Sequence, residues 1–530
     1  MKLIKFSLTP PIVAISVLFA SLCACGATKR YVSKDGSYGA DVEGAKCYTT
    51  LQAAIAECVA GDTVWVKDGF ECTPEDGVDT TDGDTSTIRI TVQITLRGET
   101  GNWQTGPIIR GRWDGDTLNK AVGANAARCL YNAAKSTKVI GFRLLNGATV
   151  GGGYGGGMYS KENSVVVTNC FIANCAAGYG GGVSLKSASL YSSVVSNCYC
   201  SSQASGVYWP SKTVDTLIIH NSGGPAWNYS GNSSTTIRRC RFVENKTSCV
   251  LGNPSNSSGT RTSVYDTDFI GNTSTAAKNG IVYGFVDLYD CVFAGNKGGT
   301  TGGCVTGGYV KSKETYVNTN SVTCTRCVFT NNLNTSSSGS IGYLAKFTNC
   351  RIENNNGGAT GPLYGCEAHN TLIAGNKSTA KGGAIYAAGD DEYVNCTIIG
   401  NESKNGPAAY VSANSTLTLV NTILAKNSAT EPDVVTFATN CCLEATAQVG
   451  SGDGNVTCDP KVTKGGSVLP YHLKQASSLI GAGTVLEWMS DETDARSKDL
   501  AGLPRLTDGK VNIGCYEGIA PMPGLLLLLR

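Results

Sequence analysis

Hydrophobic and polar residues alternate in short runs along most of the chain, and one run recurs. Residues 291–305 read CVFAGNKGGTTGGCV, and close copies stand at 371–386 (TLIAGNKSTAKGGAIY) and 396–411 (CTIIGNESKNGPAAYV). In the first copy Cys291 and Phe293 project to one side of the chain, and the residues that follow each of them project to the other. This period of two predicts short β-strands, separated by turns rich in Gly, Asn and Ser.

One position of the run marks a long repeat. Its pattern is Cys, Thr or Ser, any residue, an aromatic or β-branched residue, two further residues, and then Asn or Cys. The last position is occupied by Cys175, Cys198, Asn221, Asn245, Asn272, Asn296, Asn332, Asn355, Asn376, Asn401 and Asn427. Successive members are 21 to 27 residues apart, except for a 36-residue interval between Asn296 and Asn332. A period in the twenties is typical of solenoids, and the scarcity of leucine and the period of two argue against leucine-rich and helical repeats.

The repeat predicts an all-β fold, a right-handed parallel β-helix of about 12–14 coils. Equivalent residues of adjacent coils would lie about 4.8 Å apart and form ladders, with asparagine amides hydrogen-bonded from coil to coil. An internal stack is expected from Phe242, Phe269, Phe293 and Phe329, continued by Ile352, Ile373 and Ile398. A second inward column would hold Cys170, Cys240, Cys291, Cys327, Cys350 and Cys396. Glycine pairs such as 302–303 and 382–383 would allow tight corners.

Both ends of the chain differ from the repeats. Lys2 and Lys5 precede an apolar run, and the following LCACG resembles a bacterial lipoprotein signal in which Cys25 becomes the lipidated residue; cleavage after Ala27 is the alternative. We therefore divide the chain into a signal peptide (1–25), an N-terminal cap with a short helix that Thr49 or Thr50 begins (26–63), the β-helix (64–457), a C-terminal cap (458–518) and an apolar tail (519–530).

Composition narrows the classes of function. A net charge of +2 gives no field that would favour nucleic acid. Three scattered histidines leave little material for a histidine metal centre or a serine-type triad. The 23 cysteines suit either disulfides or buried free thiols. Outside the inward column, pairing is open, without assignable partners, to Cys47, Cys58, Cys72, Cys441, Cys442 and Cys458.

Acidic residues gather at one position of the repeat, six residues before the asparagine. That position is occupied by Asp215, Arg239, Asp266, Asp290, Arg326, Asn349, Asn370, Asn395 and Asn421. Asp266 and Asp290 should lie in adjacent coils and, with Asp268 and Asp287, form an acidic cluster that could bind Ca²⁺ or catalyse glycoside hydrolysis. In a lyase, Arg239 or Lys311 would act as base. The alternative is an exterior charge ladder in which arginines offset the acids.

The 36-residue interval carries about ten residues more than a bare coil. The extra residues fall within 307–323 and would emerge as a loop. In this loop Tyr309 and Tyr316 could stack on sugar rings, and Lys311 and Lys313 could bind acidic groups. An ordinary surface insertion without a role is the alternative.

Three segments resemble known bacterial families. TTLQAAIAECVAGDTVWVKDG (49–69) is similar to the opening of right-handed parallel β-helix proteins, and the FAGN, FIGN and GGAIY units resemble those of chlamydial polymorphic outer membrane proteins. Residues 478–518 resemble the closing motif of the choice-of-anchor Q surface proteins. The matching residues are Asp499, Gly502, Pro504, Arg505, Ile513, Gly514, Tyr516 and Glu517. Asn512 and Cys515 stand where that motif has Asp and Ala.

The resemblance implies a fold and a surface address, without assured catalytic residues. We therefore predict a non-catalytic, adhesin-like or glycan-binding protein that is exported to the cell envelope or outer membrane surface of a bacterium. Its expected partners are a polysaccharide or the surface of a host or neighbouring cell, with a lipid anchor and no nucleic acid. No cofactor is expected other than Ca²⁺ at the acidic cluster. The alternative is a Ca²⁺-dependent polysaccharide lyase or a glycoside hydrolase that acts on acidic polysaccharides.

Overall fold

The structure is a computed structural model of the chain. It describes residues 29–38, 46–80, 85–113, 122–229, 234–253, 260–276, 279–299, 302–307, 309–312, 315–318, 321–334 and 341–520. Across these residues the regular structure is almost entirely β-strand. The α-helix is Leu51–Ala56, and single 3₁₀ turns lie at Pro74–Asp76, Glu487–Ser490 and Ala495–Ser497. None of the helices described is long and apolar enough to cross a membrane.

Three long sheets, in which all strands pair in parallel, make up the body of the molecule. Sheet 1 contains Lys29–Val32, Lys46–Tyr48, Thr63–Val66, Thr95–Gly98, Lys138–Ile140, Val166–Thr168, Ser189–Tyr191, Lys212–Val214, Thr235–Arg238, Thr262–Tyr265, Val286–Tyr289, Val322–Thr325, Ala345–Thr348, Glu367–His369, Asp390–Val394, Thr416–Val420, Val434–Thr439 and Gln448–Ser451. Sheet 2 contains Glu71–Cys72, Ile108–Arg110, Arg143–Leu145, Phe171–Ala173, Val194–Ser196, Leu217–Ile219, Arg241–Val243, Asp268–Ile270, Val292–Ala294, Val328–Thr330, Arg351–Glu353, Leu372–Ala374, Thr397–Ile399 and Ile423–Ala425.

Sheet 3 contains Ser86–Ile90, Arg128–Asn132, Met158–Ser160, Val183–Leu185, Val207–Tyr208, Trp227–Asn228, Leu251–Asn253, Val282–Gly284, Val305–Gly307, Gly342–Tyr343, Leu363–Tyr364, Ile385–Ala387 and Ala409–Val411. A five-stranded ladder between sheets 2 and 3 contains Ala176–Tyr179, Tyr199–Gln203, Ser222–Gly223, Lys246–Thr247 and Thr273–Ser274. Two small pairs complete the strands, Tyr309–Ser312 with Thr315–Asn318 and Leu473–Lys474 with Ile519–Ala520.

The chain passes from sheet 1 to sheet 2 to sheet 3 in every full coil and then begins the next coil. Fourteen strands in sheet 2 and thirteen in sheet 3 agree with the predicted number of coils. This architecture is that of a right-handed parallel β-helix, as predicted from the repeat. Lys29–Val32 and Lys46–Tyr48, which precede the predicted start of the coils at Val64, pair in sheet 1 as well.

The N-terminal helix forms as predicted. Thr50 is its N-cap, and the Thr50 hydroxyl accepts a hydrogen bond from the Ala53 amide. The helix packs on the first coils and buries the side chains of Leu51, Ala54 and Ile55. An apolar helix face therefore covers part of the N-terminal end of the stack, which would otherwise expose strand edges.

The predicted asparagine ladder is confirmed from Asn221 to Asn427. In each coil the Oδ1 of one asparagine accepts hydrogen bonds from the backbone amide and the Nδ2 of the asparagine before it; for Asn272 and Asn296 these distances are 2.9 and 3.0 Å. The Nδ2 of Asn296 also donates to the Phe269 carbonyl at 2.8 Å. The amides thus satisfy backbone groups that the coil would otherwise bury without partners.

The two predicted inward columns are confirmed as well. Neighbouring rings from Phe242 to Phe329 stack with centroids 4.5 to 5.0 Å apart. The six predicted cysteines are buried, and each thiol donates to the carbonyl two residues earlier; for Cys291 this acceptor is Tyr289, at 3.3 Å. In other coils Ser193 or Thr216 occupies this position with the same bond. All 21 cysteines within the described residues are free thiols, so the cysteine column acts as a set of small buried side chains.

A C-terminal segment, residues 459–520, leaves the last coil and runs back along the outside of the stack. A buried cluster holds its end together. Arg505 donates to the carbonyls of Gly514 and Asn512 and forms an ion pair with Glu517, with Nη2 and Oε1 3.1 Å apart. The Asp499 carboxylate accepts hydrogen bonds from the amides of Ala501, Leu503 and Glu517. The residues that match the closing motif are therefore structural in this segment.

Candidate functional site

The position at which acidic residues gather is the corner between sheet 1 and sheet 2. All nine of its residues from Asp215 to Asn421 have a positive φ, between 49° and 55°. Asn and Asp tolerate this left-handed conformation better than most residues. We call Asp215, Arg239, Asp266, Asp290 and Arg326 the open corner, because they are exposed to solvent. Asn349, Asn370, Asn395 and Asn421 are buried and form the covered corner.

Ion pairs along the stack dominate the open corner. Arg239 donates to both carboxylate oxygens of Asp215, at 2.7 and 2.9 Å. Arg326 binds Asp290 in the same way, at 2.7 Å for both bonds. Asp266 lies between Arg239 and Asp290 in the column. The structure thus brings Asp266, Asp290 and Arg239 into consecutive coils, as predicted, but an arginine holds Asp290 in a two-point contact.

The other two predicted acids also face arginines. Asp287 accepts two hydrogen bonds from Arg261, at 2.6 and 2.7 Å, and one from the Thr323 hydroxyl at 2.6 Å. The Oδ2 of Asp268 lies 3.6 Å from the Nε of Arg241. Burial raises the pKa of the Asp268 carboxyl, and the Arg241 charge offsets part of this shift. The geometry therefore corresponds to the charge ladder that was the alternative to a Ca²⁺ site.

No group of three or more His, Cys, Asp and Glu side chains in the described ranges is close enough to share one metal ion. Ca²⁺ needs six to eight oxygen ligands around one point. Ca²⁺ binding by Asp266, Asp268, Asp287 and Asp290 stays a prediction. The histidines do not meet. His220 pairs with Glu244, and His472 stacks on Tyr516. His369 is partly exposed, and desolvation lowers its pKa to about 4.

The predicted binding loop forms an antiparallel hairpin. Its strands are Tyr309–Ser312 and Thr315–Asn318, and Lys311 pairs with Tyr316 in the backbone register. The two strands form a separate sheet within a coil whose other strands pair in parallel, as an insertion should. Lys313 lies outside the described residues, as does Cys25. The binding roles of Tyr309, Lys311, Lys313 and Tyr316 remain predictions.

A row of stacked tyrosines on the outer face of sheet 3 was not anticipated. Tyr343, Tyr364, Tyr386 and Tyr410 occupy one register position in consecutive coils. Their ring centroids are 5.0, 4.8 and 5.1 Å apart, and neighbouring planes differ by at most 30°. All four side chains are partly exposed. We call them the tyrosine row; its signal in the sequence is a tyrosine at a constant place after the Gly- or Pro-containing corner (SIGY, GPLY, GGAIY, GPAAY).

A lysine stands at one end of the tyrosine row. The Nζ of Lys381 donates to the Tyr410 hydroxyl at 3.1 Å and lies 4.4 Å from the centre of its ring. The Tyr410 hydroxyl raises the pKa of Lys381, so this end of the row is positively charged. Burial raises the pKa of Tyr364, and the adjacent Tyr386 adds to this shift, so the Tyr364 phenol remains protonated at neutral pH. The row therefore offers phenol rings, whose centroids are about 5 Å apart, beside one cation.

Comparisons with known proteins identify no family. No family model matches the chain, and no curated protein matches it. Among solved structures, it is similar to the pectate lyase Pel9A, with 12% identity over 93% of this chain and 97% of that one and a TM-score of 0.23. It is also similar to a mannuronic acid specific family 6 lyase from human gut microbiota, with 13% identity over 69% of this chain and 86% of that one and a TM-score of 0.34. A third similar structure is the pectin methylesterase from Aspergillus niger, with 11% identity over 58% of this chain and 84% of that one and a TM-score of 0.27. Likenesses this low carry no argument about activity.

Proposed function

We propose that the protein is a non-catalytic β-helix protein of the bacterial cell envelope that binds glycans. The observation that carries this proposal is the tyrosine row. Because the rings stack on one another, they turn their edges and hydroxyl groups outward at intervals set by the coil spacing. Tyrosine loses little conformational entropy on binding, and its hydroxyl both donates and accepts hydrogen bonds. A polymer of hydroxyl-rich units lying along the rod would meet equivalent groups in successive coils.

The second support is the state of the acidic cluster. Lyase or hydrolase chemistry needs a carboxylate that can approach substrate or metal. In the open corner, two arginine nitrogens bind each of Asp215 and Asp290. On the neighbouring strand of sheet 1, Arg261 and Thr323 bind Asp287. These contacts favour a binding protein over an enzyme, and Lys381 favours acidic glycans among the ligands.

Glycan binding is tested with the purified mature chain and a panel of neutral and uronate-containing polysaccharides. We expect binding to an acidic member, and a loss of about tenfold, or about 1.4 kcal/mol, in Tyr364→Ala/Tyr386→Ala. Tyr265 and Tyr289 form a matched control, because their rings stack at 4.9 Å on sheet 1 and are also partly exposed. Tyr265→Ala/Tyr289→Ala should bind like the unchanged protein. Absence of binding across the panel would contradict the proposal.

The same panel tests the enzymatic alternative. Polysaccharides incubated with the protein and Ca²⁺ are followed by ultraviolet absorbance and by reducing ends. We expect no turnover. Turnover that Asp290→Asn abolishes would instead establish a lyase or hydrolase at the open corner, and turnover that Lys311→Ala abolishes would place the chemistry at the hairpin.

The address on the cell is a separate part of the proposal. The N-terminal signal and the closing motif similar to that of choice-of-anchor Q proteins support export to the envelope, with Cys25 as the lipidated residue. Cells labelled with radioactive palmitate should yield labelled protein, and Cys25→Ala should remove the label. Cys23→Ala is the matched control and should retain it. Unlabelled protein, or equal labelling of all three, would reject the anchor.

A further inference from the structure

Two cysteines meet where the chain leaves the last coil. Cys442 is buried beside the final strand of sheet 2. Its backbone pairs in parallel with that of Ile423 on one side and Val456 on the other. Cys458 follows two residues after Val456, immediately before the C-terminal segment. The two Sγ atoms are 3.6 Å apart, and the Cys442 thiol also contacts the Cys458 carbonyl oxygen at 3.4 Å. Van der Waals contact between two thiols on separate turns of backbone is the arrangement from which a disulfide can form.

The two thiols differ in their access to solvent. Cys458 is partly exposed and lines an open pocket of about 400 Å³, together with Lys426, Leu443 and Glu444. Burial raises the pKa of Cys442 to about 12, and the neighbouring Cys458 adds to this shift. An oxidant in solution would therefore reach Cys458 first, and Cys442 would be the resolving thiol. By contrast, Cys291 and Cys327 are both enclosed by the stack.

We infer that Cys442 and Cys458 form a reversible dithiol–disulfide site that fastens the C-terminal segment to the last coil. The Cys458 thiolate attacks one sulfur of a small-molecule disulfide and displaces one thiolate, which leaves a mixed disulfide on Cys458. The Cys442 sulfur, as its proton passes to solvent, then attacks the Cys458 sulfur and displaces the second thiolate. The protein loses two hydrogen atoms, and the small-molecule disulfide is reduced to two thiols.

The bond would close the loop that contains the last strand of sheet 1, Gln448–Ser451. This strand is largely exposed and pairs on one side with Val434–Thr439. A cross-link at its base limits the fraying that terminal coils of a solenoid undergo, because it reduces the freedom of the unfolded loop. Oxidation in an exported setting would thus stabilise the end of the rod that the N-terminal helix does not cover.

The test uses the mature chain, oxidised glutathione as the oxidant and dithiothreitol as the reductant. After oxidation, a proteolytic digest should contain one cross-linked peptide that joins Cys442 to Cys458. Cleavage within 446–470 by a nonspecific protease should slow severalfold in the oxidised protein and return to its former rate after reduction. Cys249→Ser, which removes a fully buried thiol, is the matched control and should behave like the unchanged chain.

Two variants keep the test decisive. Cys458→Ser alters a partly exposed side chain and should fold; it should yield no cross-linked peptide and show no protection. Cys442→Ser should accumulate glutathione on Cys458 as a mixed disulfide that is not resolved. Oxidised protein that carries glutathione on Cys458 without the cross-link, or protection that survives in Cys458→Ser, would overturn the inference.

Discussion

The open corner and the covered corner have the same backbone and different chemistry. At both, the chain turns from sheet 1 to sheet 2 through one residue with φ near 50°. In the open corner these residues are Asp and Arg, and four of the five form two exposed ion pairs, Arg239 with Asp215 and Arg326 with Asp290. In the covered corner they are asparagines, and the C-terminal segment lies against them. Asn370 donates to the carbonyls of Arg496 and Lys498 at 2.7 and 2.8 Å, and Asn349 donates to Ala495 at 3.0 Å.

The difference shows that the environment outside the coil selects the side chain at the corner. Burying a charge without a partner costs free energy. A side-chain amide is uncharged, and it can donate hydrogen bonds both to carbonyl oxygens and to the neighbouring asparagine. Asn169, at the other end of the same column, follows this rule: it has φ of 52°, and its amide donates to the carbonyl of Gly101 in a covering loop. Exposure to solvent is thus sufficient to explain why acids occupy the open corner.

The strongest test places a charge in the covered corner. Asn370→Asp keeps a residue that tolerates the left-handed backbone. It replaces the Nδ2 group, which donates to two carbonyl oxygens, with a buried carboxylate oxygen that can only accept. We expect a loss of about 3 kcal/mol in the free energy of unfolding, measured in guanidinium chloride. The matched change at the open corner, Asp266→Asn, should stay within about 0.5 kcal/mol. Equal effects at the two positions would contradict the comparison.

A pH profile tests burial in the same half of the rod. Burial raises the pKa of Asp391 from 3.8 to about 7. Between about pH 4 and 7 the folded state therefore holds a proton that the unfolded state releases. The contribution of protonated Asp391 to the free energy of unfolding is complete below about pH 4 and is lost as the pH rises through 7. Between those values stability should fall by at most about 1.4 kcal/mol per pH unit. Asp391→Asn should reduce this slope, and the part that remains comes from other carboxyls with raised pKa values, Asp433 and Glu517. An unchanged slope would contradict the assignment.

A smaller effect should follow from loosening the cover itself. Trp488 lies in the C-terminal segment, edge-on to His369 with centroids 6.0 Å apart, and the Arg496 guanidinium lies 4.9 Å from its ring centre. Trp488→Ala should lower stability by about 1 kcal/mol. Hydrogen exchange should rise at the amides of Asn349 and Asn370 and remain unchanged at Asp266 and Asp290. Uniform acceleration at all four would mean that the segment does not protect the corner selectively.

The smallest effect is expected in the open corner. Arg326→Gln removes the charge that binds Asp290, where both side chains are about half exposed. Exposed ion pairs contribute about 0 to 1 kcal/mol, and salt screens them. The loss should therefore be under about 1 kcal/mol at low salt and should nearly vanish at high salt. A larger, salt-independent loss would indicate a role beyond the surface pair.

Periodicity in the sequence made the coils predictable. The positions of Phe293 and Asn296 recur from coil to coil. One alignment of the repeat therefore identified the asparagine ladder, the phenylalanine stack and the cysteine column. The same alignment placed Asp266 beside Asp290. It did not indicate that this column has a left-handed backbone, although the mixture of Asp and Asn was a usable signal. The tyrosine row was missed because it lies outside the motif that defined the repeat.

By itself, then, the sequence determined the local strand pattern, the stacking register and the inward columns, because each depends on residues one coil apart. Only the tertiary structure decided which outward positions are covered, because the contacts of the C-terminal segment join residues far apart and follow no period. The bond from Asn349 to Ala495 spans 146 residues, and that from the Cys515 amide to Thr397 spans 118. Whether a corner residue is a solvated charge or a buried amide depends on those contacts, since burial sets the cost of its charge.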